Sequence, residues 1–554
     1  MIGVRRAFTR RIGLGLGLVL LISACTPAAT APGASPGSPG AAAAKGVDVL
    51  RIAGGDWGYP SPYTFVRGPG WVDMSLSFDT LVWKDSEKIV PWLATEWSSS
   101  ADGLKWSFTL RDNVKWHDGK PFTADDVAFT IEYFKKNVNS WYAGKVDLIK
   151  AVTVTDPKHV EITLTTPYAP FLESVAGGLV IIPKHIWSAV TDPKKLTGPE
   201  AVIGTGPYKL TSYDKTTGSY LYEANPDFFL GPPYVKRIEM VPTANELVAL
   251  AKGDIDAGGP GVQDAATDEV LAPFADKTTY GMLTAPGEWT MGLYFNLGKG
   301  GALADKAFRK AAVTAIDRGA LLERIAQGRG RVGNPGYLPI SNPWHNPKVE
   351  QYPFDVAKAK AALDAAGYLD KGGSRVDKDG KPLQLELLYA NNDSPRNAEL
   401  IVSFLKAVGI GVTAKAVDRP TRDAAATAGR YELILTGFGG LGADPDNMRG
   451  AFSSKSKVKS FTRVQGYANP AFDALADQQL STVDPAARRK LTDQMQEIIA
   501  DDVPMIGLYY PDRYYIYKKG GLENWFYTVG GMGGGVPTAL NKALLATGKK
   551  TLAK

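Results

Sequence analysis

The chain has 554 residues, more than the roughly 250–300 at which a single hydrophobic core stops growing, so the sequence predicts at least two lobes. One cysteine excludes an intrachain disulfide and a thiolate metal centre. The formal net charge of +6 falls to +2 without residues 1–24, which hold four arginines and no acid, and this near-neutral balance excludes nucleic acid or anionic lipid as a partner.

The first residues have the pattern of an export signal that ends at the only cysteine. The positive segment before the apolar residues 12–21 consists of Arg5, Arg6, Arg10 and Arg11. Small residues at 23 and 24 leave room for a peptidase at the bond before Cys25. The pattern resembles a bacterial lipobox, which implies a signal peptide over 1–24, lipidation of Cys25 and an extracytoplasmic protein anchored to the cell membrane. An ordinary secretion signal stays an alternative, and the choice between Sec and twin-arginine export stays open.

A low-complexity segment follows the cysteine. Residues 26–46 are almost entirely Ala, Pro, Gly, Ser and Thr, with too little apolar bulk to offset the entropy of ordering them. We therefore expect a disordered tether over 25–46. No later stretch approaches the roughly 20 apolar residues that a membrane-spanning helix needs, so the expected attachment is by lipid alone.

Residues 92–134 are predicted to form a small α+β unit. Large apolar residues alternate with others over 106–111, which indicates a half-buried strand, and the Asp-Gly pair at 118–119 is typical of a tight hairpin turn. Thr123 then caps a helix, with Asp126 in the capping-box position. The apolar face of this helix consists of Val127, Ile131 and Phe134.

This region closely resembles family 5 of the solute-binding proteins of ABC importers, a group that includes peptide- and nickel-binding proteins. Residues 108–127 match the family pattern of F-x-L-R followed by V-x-W-H-D-G-x-P-F-T-A-x-D-V almost position for position. Further matches to the family follow in order at 204–208, 225–229, 253–256, 294–296, 309–318, 359–368 and 443–446. The resemblance thus covers about residue 50 to about residue 512.

The second half of the chain predicts a parallel α/β sheet. Leucines alternate over 383–387 as in a strand, Pro395 begins a helix that Gly409 ends, and alternation resumes over 410–416. This strand–helix–strand unit is the crossover of a parallel sheet and is expected to be right-handed. Further helices are expected at about 305–327, 356–366, 470–482 and 485–501.

The resemblance implies an α/β fold of the periplasmic-binding-protein type II-like class, with two α/β lobes, a hinge and an inserted α+β domain. The expected boundaries are 47–81, 177–285 and 505–554 for lobe I, 82–176 for the inserted domain II, and 286–504 for lobe III. We expect the chain to cross between the lobes near 285–292 and 503–509. The lobes would close over a ligand that lies between them.

The implied function is that of an importer's substrate-binding component, with no enzymatic activity and no cofactor. It would capture a peptide-like or similar-sized solute and deliver it to permease subunits in the membrane. A separate ATPase would supply the energy, because the chain has no G-x-x-x-x-G-K-[ST] loop. We expect a monomer that binds no nucleic acid. Two other classes stay open: a surface sensor or adhesin with the same fold, and a secreted hydrolase, for which neither G-x-S-x-G nor H-E-x-x-H is present.

Two loops that follow predicted strands are the candidate ligand contacts. Loops after the strand ends of an α/β lobe are where ligands usually bind, and glycines let the backbone approach them. The loop after the strand at 49–53 offers Trp57, Tyr59 and Tyr63. The loop after the strand at 433–435 offers Phe438, Gly439, Leu441, Asp444 and Asp446. Trp289 is a further aromatic candidate.

Leu441 departs from the pattern of the peptide-binding members, which place an aspartate there to pair with the free amino terminus of the peptide. A buried ammonium without a counter-charge costs several kcal/mol. Unless Asp444 or Asp446 takes this role, the resemblance implies an uncharged ligand such as an oligosaccharide. Stacking faces for a sugar would come from Trp57, Tyr59, Phe438 and Trp289.

A resident metal ion is not expected. The four histidines are scattered along the chain, and turn and helix-cap roles account for Asp118, Asp125 and Asp126. The Asp-x-Asp-Gly segment at 377–380 is similar to the start of a calcium loop, but Glu386, the expected last ligand, lies inside a predicted strand. A hairpin turn is therefore favoured there.

Overall fold

A computed structural model describes residues 46–552 except 67, 140, 260–267, 286, 392–394, 440, 442–443, 457–461, 529, 532, 534 and 537. The predicted signal peptide, the tether up to residue 45 and the lipidation site Cys25 lie outside the described residues, so they stay predictions. Within the described ranges, no helix combines the length and the apolar character that a bilayer span requires.

Strands and helices are interspersed along the described chain. The strands are β1 (Val47–Gly54), β2 (Val82–Lys84), β3 (Ile89–Pro91), β4 (Ala94–Ser99), β5 (Lys105–Leu110), β6 (Ile149–Asp156), β7 (His159–Leu164), β8 (Tyr208–Asp214), β9 (Ser219–Ala224), β10 (Val235–Pro242), β11 (Tyr280–Ala285), β12 (Thr290–Phe295), β13 (Gly330–Val332), β14 (Gln384–Ala390), β15 (Gly411–Val417), β16 (Leu433–Phe438), β17 (Met505–Pro511) and β18 (Arg513–Lys518). The α-helices are α1 (Pro69–Ser75), α2 (Ala124–Lys136), α3 (Ala143–Val146), α4 (Lys184–Trp187), α5 (Glu246–Lys252), α6 (Asp268–Leu271), α7 (Gly301–Ala304), α8 (Lys306–Thr314), α9 (Arg318–Ala326), α10 (Val356–Ala365), α11 (Pro395–Ala407), α12 (Arg419–Thr427), α13 (Asn447–Phe452), α14 (Pro470–Ser481), α15 (Pro485–Asp502) and α16 (Lys542–Thr547).

The first sheet, the centre of lobe I, has the strand order β8-β9-β10-β1. β1 is parallel to β10, whereas the other neighbours are antiparallel. Ala257 bridges β1 to β18, and β18 pairs with β11, so this sheet continues as far as the strands that lead towards the second sheet. Ile52 and Ile238 of the sheet share one buried core with Trp71 and Met74 of α1.

An antiparallel sheet of order β4-β5-β7-β6 lies between β1 and β8 in the sequence, and α2 contacts β6 and β7. The predicted capping box of α2 is confirmed, because Thr123 and Asp126 bond each other's backbone N–H groups. The predicted apolar face is also buried. The hairpin turn is confirmed by a φ of 87° at Gly119 and by the bridge between Lys115 and Pro121. This unit is α+β as expected, and its proposed limits at 82–176 stay a prediction.

The second sheet, the centre of lobe III, has the strand order β13-β17-β12-β16-β14-β15. β14 runs parallel to both β15 and β16, and α11 connects β14 to β15, as the crossover prediction requires. Gly409 follows α11 with a φ of 85°, in the left-handed region. The hairpin interpretation of 377–380 is confirmed, because Asp377 Oδ1 accepts the backbone N–H groups of Asp379 and Lys381, each at 2.9 Å.

The helix expected at 305–327 is two helices, α8 and α9. Asp317 separates them, because its carboxylate accepts the backbone N–H of Ala320 at 2.8 Å and so caps a new helix. The helices expected at 356–366, 470–482 and 485–501 correspond to α10, α14 and α15 to within one residue. Capping residues thus located helix starts more reliably than the length of the apolar pattern did.

Two short segments connect the first sheet to the second. β11 pairs with β18 and β12 pairs with β17, so the chain crosses between β11 and β12 and again at Asp512. The first crossing lies within the expected 285–292. The second was expected at 503–509, with lobe I resuming at 505, but the pairing of Met505–Pro511 with β12 and β13 places this strand in the second sheet. Both β17 and β18 are apolar and extended, so the sequence pattern does not mark where one sheet ends.

A buried ion pair holds α16 against lobe I. Lys542 Nζ lies 2.6 Å from Asp79 Oδ1, and both side chains are 0% exposed. Asp79 also accepts hydrogen bonds from the Trp92 indole at 2.6 Å and the Thr205 hydroxyl at 2.8 Å. Nζ lies 3.8 Å from the centre of the Trp83 ring. Because both charges have these partners, the pair can stay buried.

Candidate ligand-binding site

The first crossing segment lies beside the second candidate loop. β12 pairs with β16 so that Thr290 is opposite Phe438, and the Leu441 N–H donates to the Glu288 carbonyl at 3.2 Å. Trp289 covers Gly437, where a Cβ would overlap the indole ring. Only glycine therefore fits at 437 with Trp289 in this position.

Trp289 is half-buried, and the Arg513 guanidinium lies 5.3 Å from the centre of one of its rings. Gly439 is exposed, with the position of a Cβ 3.5 Å from Trp289 Cδ1. The Phe438 side chain lies outside the described residues, so its proposed ligand contact stays a prediction. The structure thus brings Trp289 and Gly439 together.

Leu441 is 1% exposed and belongs to the same buried cluster as Leu338 and Met448. Its carbonyl accepts a hydrogen bond from the Asn342 amide at 2.5 Å. A leucine in this environment offers a ligand no counter-charge. The Leu441 side chain is therefore part of the hydrophobic core of lobe III.

The two aspartates of the second loop are paired within the protein. Arg488 binds both oxygens of Asp444, at 2.6 and 2.5 Å. Arg449 binds both oxygens of Asp446 at 2.7 Å, and the Gln479 amide donates to one of them at 2.8 Å. These carboxylates therefore hold the loop against α13, α14 and α15, and their charge is already compensated.

The first candidate loop is bonded to lobe I and to the inserted domain. The Trp57 N–H donates to the Tyr220 hydroxyl at 2.8 Å, and the Tyr59 hydroxyl donates to the Gly198 carbonyl at 3.0 Å. The Tyr63 hydroxyl donates to the Asn137 carbonyl at 2.7 Å. Burial raises the pKa of both tyrosines. In the described part of the chain, no hydrogen bond or ring contact joins these three residues to the loop at 437–446.

A cavity of about 200 Å³ lies where the three parts of the protein meet. It is lined by Lys84, Asp85, Glu87, Lys88, Ile89, Glu173, Pro343, Trp344, Asp444 and Gly530. These residues come from the β2–β3 hairpin, the π-helix at Phe171–Ala176, lobe III and the segment after β18. A smaller cavity shares Lys84, Ile89 and Glu173 and extends to Trp83 and Gly533.

Glu288 stands out among the ionisable groups next to this cavity. Burial raises the pKa of its carboxyl to about 7, while the Gly530 backbone N–H and Lys84 oppose this shift and Glu173 adds to it. All three of these neighbours line the cavity. The sequence offered no motif for Glu288. The glycine-rich sequence at 530–535 was a usable signal, because glycines favour the left-handed backbone region. In the structure, Gly530 and Gly531 do adopt this region, with φ values of 75° and 69°.

The histidine and aspartate residues of the 117–126 segment have structural roles. His117 Nε2 lies 3.0 Å from the Gly206 carbonyl oxygen, and burial lowers the pKa of its ring to about 4. Asp118 binds His185 at 2.7 Å, and Asp126 accepts the backbone N–H groups of Thr123 and Lys184 at 3.0 Å. Among the described residues, no three His, Cys, Asp or Glu side chains are grouped so that they could hold a metal ion.

The two sheets, the two crossings and the inserted domain define a two-lobe α/β fold of the periplasmic-binding-protein type II class. A solved structure of NikZ from Campylobacter jejuni, in complex with Ni(L-His), shares this fold with a TM-score of 0.70. The two sequences are 26% identical, and the match covers 88% of this chain and 98% of NikZ.

The sequence profile described as "Bacterial extracellular solute-binding proteins, family 5 Middle" matches residues 88–460. The chain belongs to this family, which confirms the resemblance drawn from residues 108–127. The nickel-binding periplasmic protein of Escherichia coli (strain K12) is 30% identical over 444 residues, 75% of this chain and 80% of the relative. The oligopeptide-binding protein AppA of Bacillus subtilis (strain 168) is 28% identical over 448 residues, 77% and 78% of the two chains. The protein is a solute-binding protein and not an enzyme.

Proposed function

We propose that the chain is the extracytoplasmic substrate-binding component of an ABC importer, held at the cell membrane by a lipid on Cys25. It captures a peptide-like or similar-sized solute between lobe I and lobe III and delivers it to permease subunits, while a separate ATPase supplies the energy. Membership of family 5 supports this role, and the named relatives bind nickel and oligopeptides.

The observation that carries the proposal is the cavity between the lobes, close to the crossings. Two short connections between sheets allow hinge closure, and a ligand that contacts both lobes stabilises the closed form. The Ala169 N–H donates to the Leu480 carbonyl at 2.8 Å, so the inserted domain and α14 are in contact in this structure. The cavity is smaller than the usual 300–1,000 Å³ or so of a drug-sized ligand site, so it fits a small solute or one end of a longer one.

Native mass spectrometry of the protein purified from its own host tests this proposal, because a bound solute would be released and identified. Calorimetry with that compound should then give a dissociation constant of about 1 μM or tighter, without turnover. Small-angle scattering should show a smaller radius of gyration with the solute than without it. Superimposable scattering profiles would contradict hinge closure.

The lipid anchor has its own test. Cys25→Ser removes the only thiol that a lipid could modify, so the variant should move from the membrane fraction to the soluble extracytoplasmic fraction. Residues 46–552 are unchanged, so solute affinity should stay the same. Retention of the variant in the membrane fraction would contradict lipidation at this position.

An oligosaccharide is the second candidate ligand. It is favoured by the buried apolar side chain of Leu441 and by the arginine partners of Asp444 and Asp446, which leave no free carboxylate in this loop for an amino terminus. Trp57, Tyr59, Phe438 and Trp289 are then proposed stacking faces. Calorimetry with maltodextrins and with mixed peptides separates the two ligand classes.

A further inference from the structure

The inserted domain and lobe III meet at the corner between α14 and α15 (residues 480–484). The Ala169 N–H donates to the Leu480 carbonyl oxygen at 2.8 Å. Leu480 lies in the last turn of α14, where carbonyl groups have no partner within the helix, so this N–H satisfies an acceptor that the helix leaves open. The donor belongs to the loop at 165–170, which connects β7 to the π-helix of the inserted domain.

An apolar contact lies beside this hydrogen bond. Gly103, in the turn between β4 and β5, is buried although such turns usually face solvent. A Cβ placed at Gly103 would lie 2.8 Å from Val483 Cγ2 and 3.3 Å from Pro167 Cβ. The Val483 side chain of the α14–α15 corner therefore packs on this turn.

Tyr168, in the same loop, lies near the second candidate loop. Burial raises the pKa of its hydroxyl to about 12, and the negative charges of Asp446 and Asp444 add to this shift. On the lobe III side, the Gln479 amide donates to Asp446 Oδ1 at 2.8 Å, and its oxygen accepts a hydrogen bond from Arg488 at 2.9 Å. Arg488 in turn binds Asp444, so the end of α14 is tied to a residue that lines the cavity.

Both sides of the contact adjoin the cavity between the lobes. Glu173, in the π-helix that follows the 165–170 loop, lines the cavity from the inserted domain, and Asp444 lines it from lobe III. Separation of these two walls would break the hydrogen bond between Ala169 and Leu480 and uncover Val483. The contact is therefore expected in the closed form only.

We infer that the 165–170 loop of the inserted domain is a latch, which docks on the α14–α15 corner when the lobes close and so holds the cavity closed. The inference rests on the proposed function, because it depends on hinge closure, and it gives the inserted domain a role in that closure. The hydrogen bond and the packing of Val483 form in the closed state, so they stabilise it relative to the open state.

Disulfide trapping tests whether this contact forms in solution and depends on closure. Gly103→Cys and Val483→Cys are combined in the full chain with Cys25→Ser, which removes the only native thiol. The Gly103 Cβ position and Val483 Cγ2 are close enough for a disulfide to form there. The matched control combines Gly103→Cys with Lys490→Cys, an exposed position on α15. Both pairs carry the same cysteine in the turn, so any strain from its φ of 67° is common to them.

The proteins are unfolded in guanidinium chloride and refolded, so that they carry no co-purified solute. With oxidised glutathione, the 103–483 disulfide should form at least about tenfold faster than the 103–490 disulfide, as followed by mass spectrometry of unreduced tryptic peptides. Small-angle scattering should give the oxidised 103–483 protein a smaller radius of gyration than its reduced form, because the disulfide traps the closed state. Equal rates for the two pairs, or superimposable scattering profiles, overturn the inference.

The hydrogen bond is tested in the same background. Ala169→Pro removes the N–H donor and should slow formation of the 103–483 disulfide about fivefold, whereas Ala169→Gly retains the donor and should leave the rate within about twofold. Equal rates in these two variants overturn the role of the 165–170 loop as a latch. If circular dichroism shows that Ala169→Pro does not fold, the two cysteine pairs decide the question by themselves.

Failure of the latch is distinguishable from failure of the proposed function. If the two cysteine pairs react equally, while native mass spectrometry finds a bound solute and scattering shows that it compacts the protein, the latch is overturned and the proposed function stands. If the 103–483 disulfide forms rapidly and compacts the protein but no solute is bound by the protein from its own host, the latch is supported and the proposed function is contradicted.

Discussion

The loops at 57–63 and 437–446 both follow strands, and both were expected to contact the ligand, yet the structure holds them in different ways. The first is fixed by hydrogen bonds from the backbone of Trp57 and the hydroxyls of Tyr59 and Tyr63 to lobe I and the inserted domain. The second is fixed by two arginine–aspartate pairs and touches the crossing at Glu288. The position after a strand therefore does not by itself determine how a loop is held. What distinguishes the second loop is that it lies against the connection between the sheets.

Arg488→Met has the largest expected effect, because it removes the arginine that pairs with Asp444 in the loop at 437–446. The Asp444 side chain is only 18% exposed and would be left without its charged partner. The free energy of unfolding should therefore fall by about 4 kcal/mol. Urea denaturation measures this loss. Arg396→Met is the control, because its pair with Glu399 is exposed and should contribute less than about 1 kcal/mol. Equal losses in the two variants would show that the pair does not anchor the loop.

Tyr63→Ala tests whether the first loop is structural. The ring stacks on Phe134 with centroids 5.4 Å apart, so truncation should lower the free energy of unfolding by about 3 kcal/mol. The affinity for the co-purified solute should stay within about threefold of the wild-type value, measured by calorimetry below the unfolding temperature. A loss of affinity by a factor of about ten or more would restore Tyr63 as a ligand contact.

Glu288, in the crossing beside the second loop, gives the stability of the protein a pH dependence. Its pKa is about 7 in the folded protein against 4.5 ordinarily, so the folded state holds a proton that the unfolded state releases. Its contribution to stability is therefore fully present below pH 4.5 and is lost as the pH rises to about 7. Relative to Glu288→Gln, the wild type should lose about 2 kcal/mol of unfolding free energy between about pH 5 and about pH 8, with partial exposure taken into account. Parallel pH profiles of the two proteins would contradict the assigned pKa.

Tyr59→Phe is the smallest change. It removes the hydroxyl that donates to the Gly198 carbonyl and retains the ring, so the unfolding free energy should fall by about 1 kcal/mol. Solute affinity should not change, because a stacking face would be preserved. Thermal denaturation and calorimetry of this variant together show whether the hydroxyl of Tyr59 has any role beyond anchoring its loop.

Local features of the fold were predictable from the sequence, because they depend on neighbouring residues. The capping box at Thr123 and the crossover from β14 through α11 to β15 are examples. The second crossing was not, because β17 and β18 form a nearly continuous extended segment and only their partners assign each to a sheet. The candidate site was predicted only in part. Arg488 is 44 residues from Asp444, and the burial that raises the pKa of Glu288 depends on parts of the chain that are distant in sequence.

A crystal structure of the purified protein with its co-purified solute tests the central claim most directly. The account predicts solute density in the cavity between Lys84, Trp344 and Gly530, in contact with both lobes. Density that contacts one lobe only, or that lies outside this cavity, would contradict the proposed mode of capture.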